Sequence, residues 1–202
     1  KDKTWEDWQR RTGELPPDFS KLPKRPFLPD PLRQLDSGAP ITTQAQWQQQ
    51  SARIRDLYQQ WFIGRMPPAP TNLQATVLKE TRQGDLTVRD VLLQFGPDRK
   101  ARLHVQLLIP PGKGPFPVFL TNHQRTRPWT ATAVRRGYIG VMYQALDPIY
   151  GFEDDSESFI EAYPEYDFSC LARWAWAAMR TVDYLVTEPA VDKTKIAITG
   201  HS

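Results

Sequence analysis

The sequence has little cysteine, little net charge and no long hydrophobic run, and each shortage excludes a class of protein. Its 202 residues contain a single cysteine, Cys170, which excludes an internal disulfide framework and a zinc site built from several cysteines. No apolar run approaches the roughly 18 residues that a membrane span needs. The 26 basic and 23 acidic side chains leave a net charge of +3, too small to indicate a nucleic-acid partner.

Proline divides the chain into two regions. Ten of the 19 prolines lie in the first 70 residues, and seven of these lie between Pro16 and Pro40. Because proline lacks a backbone donor and clashes with the preceding helical turn, this stretch is neither regular helix nor central strand. We predict a proline-rich, partly helical N-terminal extension over residues 1–71, lying on the surface of a main domain over residues 72–202.

Two helices are predicted within the extension. The first runs from Trp5 to Glu14, with Thr4 as its N-cap. The second begins at a capping box formed by Thr43 and Gln46 and ends at Gly64. Apolar residues at helical spacing predict one apolar face on this second helix, made of Trp47, Ile54, Leu57, Tyr58 and Trp61.

The pattern changes to strands after residue 72. Segments 74–80, 87–95 and 102–109 alternate polar and apolar residues, as antiparallel strands with one exposed face do. Runs 118–120 and 139–142 are short and apolar, typical of strands buried on both faces. A short helix over 130–136, an amphipathic helix over 170–186 and a strand over 195–199 complete the pattern. The predicted apolar face of the long helix contains Leu171, Trp174, Ala175, Ala178, Val182, Leu185 and Val186.

A polar, acidic loop is predicted over residues 147–167. Its carboxylates are Glu153, Asp154, Asp155 and Glu157. No glycine stands where an EF-hand calcium loop needs one, so the loop is expected to be solvated and free of metal. Strands and helices otherwise alternate, which predicts an α/β fold with a mostly parallel sheet, flanking helices and antiparallel N-terminal strands.

The strongest chemical signal is Gly200-His201-Ser202 after an apolar strand. This is the first half of a nucleophile elbow, in which a serine sits at a sharp turn between a strand and a helix. Ser202 is therefore the predicted nucleophile, and His201 is expected to be a packing residue rather than its base. A second interpretation stays open, in which these residues only close the strand and cap the following helix.

A second feature lies between residues 116 and 129, where a buried strand leads into a polar loop. In serine hydrolases of this architecture the corresponding loop supplies an amide to the oxyanion hole, and the candidates are Gln124 and Arg125. Arg127 and Trp129 are candidate substrate-binding residues, because a guanidinium suits a carboxylate and an indole suits a sugar face. For the arginines, an ordinary solvated loop is the alternative.

Three segments carry a family resemblance: 116–124, the helix 171–185 with its Trp-Ala-Trp sequence, and 191–202 with its Val-Asp turn before Gly-His-Ser. The chain resembles the α/β-hydrolases, and more narrowly the carbohydrate esterases that include acetyl xylan esterases and glucuronoyl esterases. The resemblance implies a serine carboxylic-ester hydrolase that forms an acyl-enzyme on plant cell-wall carbohydrate esters. It implies neither a metal nor an organic cofactor.

The resemblance also implies a triad in the chain order serine, acid, histidine. Only the nucleophile, Ser202, has a position in this sequence, so the sheet is expected to be truncated after the nucleophile strand. His104 is expected to be structural and His123 to lie in the oxyanion loop.

Two other functions remain open from the sequence alone: another α/β-hydrolase acting on a dienelactone or a peptide, and a non-catalytic binding domain with a hydrolase-like fold. The expected partner is a small-molecule or polysaccharide ester, with no nucleic acid and no membrane, and the oligomeric state is open. The expected location is secreted or periplasmic. Since the chain starts at Lys1 without an apolar signal core, a targeting peptide is expected to have been removed or never to have existed.

Overall fold

The structure is a computed structural model that describes residues 4–13, 18–22, 24, 28–122, 128–146 and 153–200. Its contacts divide the chain into two compact units, residues 1–51 and 52–202. The predicted division at residue 71, between an extension and a hydrolase domain, stays a prediction. Within the described ranges, every helix is too short or too polar to cross a membrane.

The first helix, α1, spans Trp5–Thr12. Its predicted cap is confirmed, because the Asp7 N–H donates to the Thr4 hydroxyl oxygen at 3.1 Å. The helix ends before the predicted Glu14: Gly13 has a φ of 70°, and its N–H closes the last turn on the Gln9 carbonyl.

The second helix, α2, spans Gln44–Tyr58 and continues as a π-helical turn over Gln59–Ile63. The capping box is confirmed: the Gln46 N–H donates to Thr43 Oγ1 at 3.2 Å, and the Thr43 N–H donates to Gln46 Oε1 at 3.1 Å. Gly64 ends the helix with a φ of 77°, as predicted.

The residues of the apolar face predicted for α2 are mostly exposed in the structure. Trp47, Leu57, Tyr58 and Trp61 are exposed, with Trp61 at 71%. The only buried residue of α2 is Gln50, whose side-chain amide donates to the Arg33 carbonyl. A hydrogen bond to the preceding loop, rather than hydrophobic burial, therefore anchors the N-terminal part of this helix.

In the part of the chain that the structure describes, six strands form one mixed sheet in the order β1-β2-β3-β5-β4-β6. Neighbours from β1 through β3 to β5 are antiparallel, whereas β4 is parallel to both β5 and β6. The antiparallel N-terminal strands and the parallel later strands are thus confirmed. The described sheet is mixed rather than mostly parallel, because three of its five strand pairings are antiparallel. The strands are β1 Gln74–Gln83, β2 Leu86–Phe95, β3 Ala101–Ile109, β4 Phe116–Asn122, β5 Ile139–Tyr143 and β6 Val191–Thr199.

Among the described residues, three further helices flank the sheet: α3 Trp129–Arg135, α4 Ser158–Ala162 and α5 Cys170–Leu185. The short helix predicted at 130–136 is therefore confirmed as α3. It packs on the face of β5 that carries Gly140, where an added Cβ would lie 3.0 Å from Thr130 atoms. Ile139 and Val141 point to the opposite face and join the core with α5. Short 3₁₀ turns lie at Phe19–Lys21, Pro97–Arg99 and Asp155–Glu157.

The buried face of α5 differs from the predicted one. Leu171 and Ala175 are exposed, while Arg173, Trp176 and Arg180 are buried. The arginines tolerate burial because each has a carboxylate partner: Arg173 Nη2 lies 2.7 Å from Glu157, and Arg180 Nε lies 2.7 Å from Asp183. Hydrophobic periodicity does not register such ion pairs. The predicted buried face is therefore rotated about the helix axis relative to the observed one.

Trp176 is the centre of the hydrophobic core. Its indole N–H donates to the Pro67 carbonyl at 3.1 Å, and the Arg180 guanidinium lies 4.7 Å from its ring. Four aromatic rings surround it with centroids 5.2–6.0 Å away, those of Phe95, Phe159, Tyr163 and Phe168. One side chain thereby connects α5 to β2, α4 and two loops.

We predict that Trp176→Ala destabilises the chain by about 3–5 kcal/mol, because it removes this packing and leaves a cavity. Urea denaturation followed by circular dichroism measures the loss. The matched control is Leu171→Ala on the same helix, where the side chain is 64% exposed and the change should cost far less. Equal losses for the two variants would contradict the role given to Trp176.

Candidate active site

The two strands that lead into the predicted site are parallel neighbours. In the β4–β6 register Thr121 lies opposite Thr199, so Asn122 and Gly200 leave the sheet side by side at its carboxyl edge. Neighbouring strands are about 4.8 Å apart. The segment after Gly200 and the segment after Asn122 therefore start from adjacent points, in the crevice where α/β sheets ordinarily bind their ligands.

The register of β6 is interrupted before it reaches this edge. Phe116 pairs with Val191 and Val118 pairs with Ile196, so residues 192–195 are set against a single residue of β4. The predicted turn at Asp192 thus lies inside the strand as an irregularity of pairing. Pairing is regular again from Ile196 to Thr199, and this regular part fixes the height at which Gly200 leaves the sheet.

Asp192 holds the irregular segment together. Its Oδ1 accepts from the Thr194 hydroxyl at 2.7 Å and from the Thr194 N–H at 3.0 Å, and its Oδ2 lies 3.1 Å from Lys195 Nζ. The hydrogen bond from the Thr194 side chain, followed by that from Lys195, lowers the pKa of Asp192 to about 2. The carboxylate therefore stabilises the irregular segment of β6 that precedes the predicted elbow.

An open apolar groove of about 940 Å³ runs between α5 and β6. Met179, Ile196 and Ile198 line it, and Thr199 and Gly200 lie at one end. Among the described strands β6 is at the edge of the sheet, and Ile198 is exposed. Tyr143, at the carboxyl end of β5, also lines the groove, and burial raises the pKa of its hydroxyl to about 12.

Most of the predicted site residues lie outside the described residues. These are Ser202, Gln124, Arg125 and Arg127, together with the neighbouring His123 and His201. Trp129 is described: it is the first residue of α3, is half-buried, and follows directly on Pro128 and the loop after β4. Its position at the carboxyl edge is compatible with its predicted role, and all the site assignments remain predictions. Around Gly200, an added Cβ would meet no described atom within 4 Å.

The expectation of a solvated acidic loop holds for Glu153 and Glu157, which are exposed, and is wrong for Asp155. Asp155 is buried and accepts from the His104 backbone N–H at 2.7 Å. Asp154 accepts from the Trp174 indole at 3.0 Å, and Glu157 pairs with Arg173. The donors to these three carboxylates are remote in sequence, so the sequence alone does not reveal the contacts. Among the residues that the structure describes, no three potential metal ligands come together.

His104 takes part in a pairing that sequence reasoning missed. Its Nδ1 lies 2.9 Å from Asp155 Oδ2. With the strand order β3-β5-β4-β6, three strand spacings, about 14 Å, separate β3 from β6. This histidine is therefore too far across the sheet to serve as the base of a nucleophile at the end of β6.

The comparisons with known proteins agree with this architecture. The chain has the fold of the α/β-hydrolase carbohydrate esterases: the solved glucuronoyl esterase from Solibacter usitatus matches with a TM-score of 0.70 and 23% identity, over 92% of this chain and 59% of that one. No family model matches the chain.

Two curated proteins are similar in sequence. The 4-O-methyl-glucuronoyl methylesterase 1 of Wolfiporia cocos is 29% identical over 87% of this chain and 43% of its own length. Carbohydrate esterase MZ0003, from an unknown prokaryotic organism, is 26% identical over 92% of this chain and 55% of its own length. The chain thus spans about half the length of the curated relatives it matches.

We predict that Asp192→Asn destabilises the chain at neutral pH but not at strongly acid pH. A carboxyl whose folded pKa is about 2, against an ordinary 3.8, adds stability above pH 3.8 and loses it as the pH falls toward 2. Thermal unfolding of both proteins from pH 6 to pH 2 tests this, since contributions from all other groups cancel in the difference. If the difference in melting temperature between the two proteins stays constant down to pH 2, the stabilising role of the ionised Asp192 is contradicted.

Proposed function

We propose that this chain carries the nucleophile of a serine carboxylic-ester hydrolase that acts through an acyl-enzyme on plant cell-wall carbohydrate esters. The observation that carries the proposal is the parallel pairing of β4 with β6, with Thr121 opposite Thr199. A nucleophile two residues beyond Gly200 and amides of the loop after Asn122 would then start from neighbouring points. Attack on a carbonyl and stabilisation of the resulting oxyanion require such neighbours.

In the proposed reaction Ser202 Oγ attacks the ester carbonyl carbon and its proton passes to a histidine base. The tetrahedral oxyanion accepts hydrogen bonds from backbone amides of Gln124 or Arg125 and of the residue after the serine, each worth roughly 3 kcal/mol. The alcohol leaves with the proton from the histidine. Water then attacks the acyl-enzyme by the same steps, which releases the acid and restores Ser202.

The names of the curated relatives support the proposed substrate class. One is named a 4-O-methyl-glucuronoyl methylesterase and the other a carbohydrate esterase. We therefore favour a glucuronoyl ester over an acetyl ester of xylan, with Arg127 and Trp129 as contacts for the sugar. A polymeric cell-wall substrate is reached outside the cell, which supports a secreted or periplasmic location.

Fluorophosphonate labelling of the whole folded enzyme tests the nucleophile. We expect the label on Ser202 and its loss in Ser202→Ala, with kcat reduced roughly 10⁶-fold. Ser37→Ala, a change at an exposed turn of the first unit, should keep both label and activity. An enzyme that is folded and active but unlabelled at Ser202 would overturn the proposal, and a folded protein with neither label nor activity would favour a binding domain.

The bond cleaved is tested separately by trapping the acyl-enzyme. A glucuronoyl ester leaves the sugar acid on Ser202, whereas acetylated xylan leaves only an acetyl group, so the mass of the trapped adduct tells the two substrates apart. We expect the sugar-acid adduct. An acetyl adduct, formed with no turnover of the glucuronoyl ester, would assign the enzyme to the acetyl esterases instead.

The 202-residue chain by itself is expected to hydrolyse neither ester. Its described histidine, His104, is held by Asp155 about 14 Å across the sheet from β6 and supplies no base there. A standard ester-hydrolysis assay on this polypeptide checks the expectation. Turnover that Ser202→Ala abolishes would show that the base lies within these residues.

A further inference from the structure

A row of side chains crosses the sheet on the face opposite the core. In the strand registers Lys79 lies opposite Asp90, Asp90 opposite Gln106, and Gln106 opposite Met142. Side chains opposite each other in neighbouring strands share one face. The neighbours Val91, Val105 and Val141 point the other way into the core. Residues from β1, β2, β3 and β5 therefore form one continuous stripe on the outer face.

A bulge in β1 produces the first step of this row. Val77 pairs with Val91 and Lys79 pairs with Asp90, so Leu78 is an extra residue in β1. The extra residue turns Lys79 to the face that carries Asp90 and Gln106. Bulges of this kind change the direction in which side chains point, and they are over-represented beside functional sites.

The stripe lines a pocket of about 350 Å³, which is within the size range of small-molecule sites. His104 and Gln144 complete its wall. They are neighbours at the carboxyl edge, because the Gln144 N–H donates to the His104 carbonyl at 2.9 Å. The pocket thus extends to the edge where β4 and β6 also end.

Neighbouring groups orient the polar side chains of the pocket. Gln106 Nε2 donates to Asp90 Oδ1 at 2.7 Å, and Gln144 Nε2 donates to the Glu153 carbonyl at 3.0 Å. With Asp155 ionised, Nδ1 of His104 carries the proton of that pair, and Nε2 is on the ring's opposite side. The imidazole is 43% exposed, whereas the Asp155 side chain is 2% exposed.

These bonds leave both donors and acceptors in the pocket. The donors are the second N–H of each glutamine amide, together with the ammonium group of Lys79. The acceptors are Nε2 of His104 in its neutral form, Oε1 of Gln106 and of Gln144, and the second carboxylate oxygen of Asp90. A matching ligand therefore both donates and accepts hydrogen bonds and has an apolar side for Met142. A sugar ring, with its hydroxyl groups and C–H faces, has both.

We propose that this outer-face pocket is a subsite for one sugar unit of a polysaccharide substrate, at a distance from the ester that reacts. This inference rests on the proposed function for the identity of the polymer. Two strand spacings, about 10 Å, separate β3 from β4, which leads into the predicted oxyanion loop. That span is too long for a single ester group and is within reach of neighbouring units of the same chain.

The test is a titration of the ¹⁵N-labelled whole enzyme with a linear xylo-oligosaccharide that carries no ester. We expect the His104 imidazole signals and the Gln106 and Gln144 side-chain amide signals to shift together with one dissociation constant. His104→Gln, which also assigns the imidazole signals, and Gln106→Ala should each weaken binding about tenfold. Gln94→Ala is the matched control, because Gln94 is on the same face of β2 but outside the pocket.

Binding that Gln94→Ala weakens as much as Gln106→Ala does, or shifts that are absent at these three residues, would overturn the subsite. Shifts with a simple alkylammonium ion but none with the oligosaccharide would also overturn it, since the acceptors would then serve a cation. Circular dichroism of each variant confirms folding before the titration. Since the probe has no ester, the result is independent of Ser202, and failure of the esterase proposal stays distinguishable from failure of this one.

Discussion

The packing of α5 on the sheet through Trp176 is the constraint on which the rest of the second unit depends. Four aromatic rings and the Pro67 carbonyl surround this indole, so the helix has one position relative to β2 and α4. Because α5 leads directly into β6, its position sets where that strand enters the sheet beside β4. The geometry of the candidate active site is therefore determined by a hydrophobic contact on the core side of the sheet.

Carboxylate pairs, together with the packing of three aromatic rings on Trp176, fix the described residues 153–169 before α5. Asp155 accepts from the His104 backbone, and Glu157 pairs with the largely buried Arg173. Burial raises the pKa of Asp155, while the hydrogen bonds from His104 act in the opposite direction. Removing either partner of such a pair leaves an uncompensated polar group, so these contacts specify one arrangement of the segment even where they add little net stability.

Local signals in the sequence predicted the elements well. Thr4, Thr43 with Gln46, and Gly64 each act within one turn of chain, and the helix caps they predict are present. Contacts between distant residues were not predictable. The spacing of Trp47 to Trp61 describes an apolar stripe but not whether another element covers it, and the buried face of α5 depends on carboxylates that periodicity does not register. For the candidate site, the sequence pointed to the ends of β4 and β6, but the pairing of these strands and the row from Lys79 to Met142 follow from registers that only the fold defines.

The interruption of β6 at residues 192–195 has a consequence for variation in chain length. Pairing at Val191 anchors the strand at one end and pairing from Ile196 to Thr199 anchors it at the other, while the residues between them are out of step with β4. An insertion or deletion there changes the size of the irregularity without moving either anchor. The same change after Ile196 would shift the alternation of the strand and turn the residues before the elbow to the other face of the sheet. Related chains can therefore differ in length at this point and still present the end of β6 at the same height.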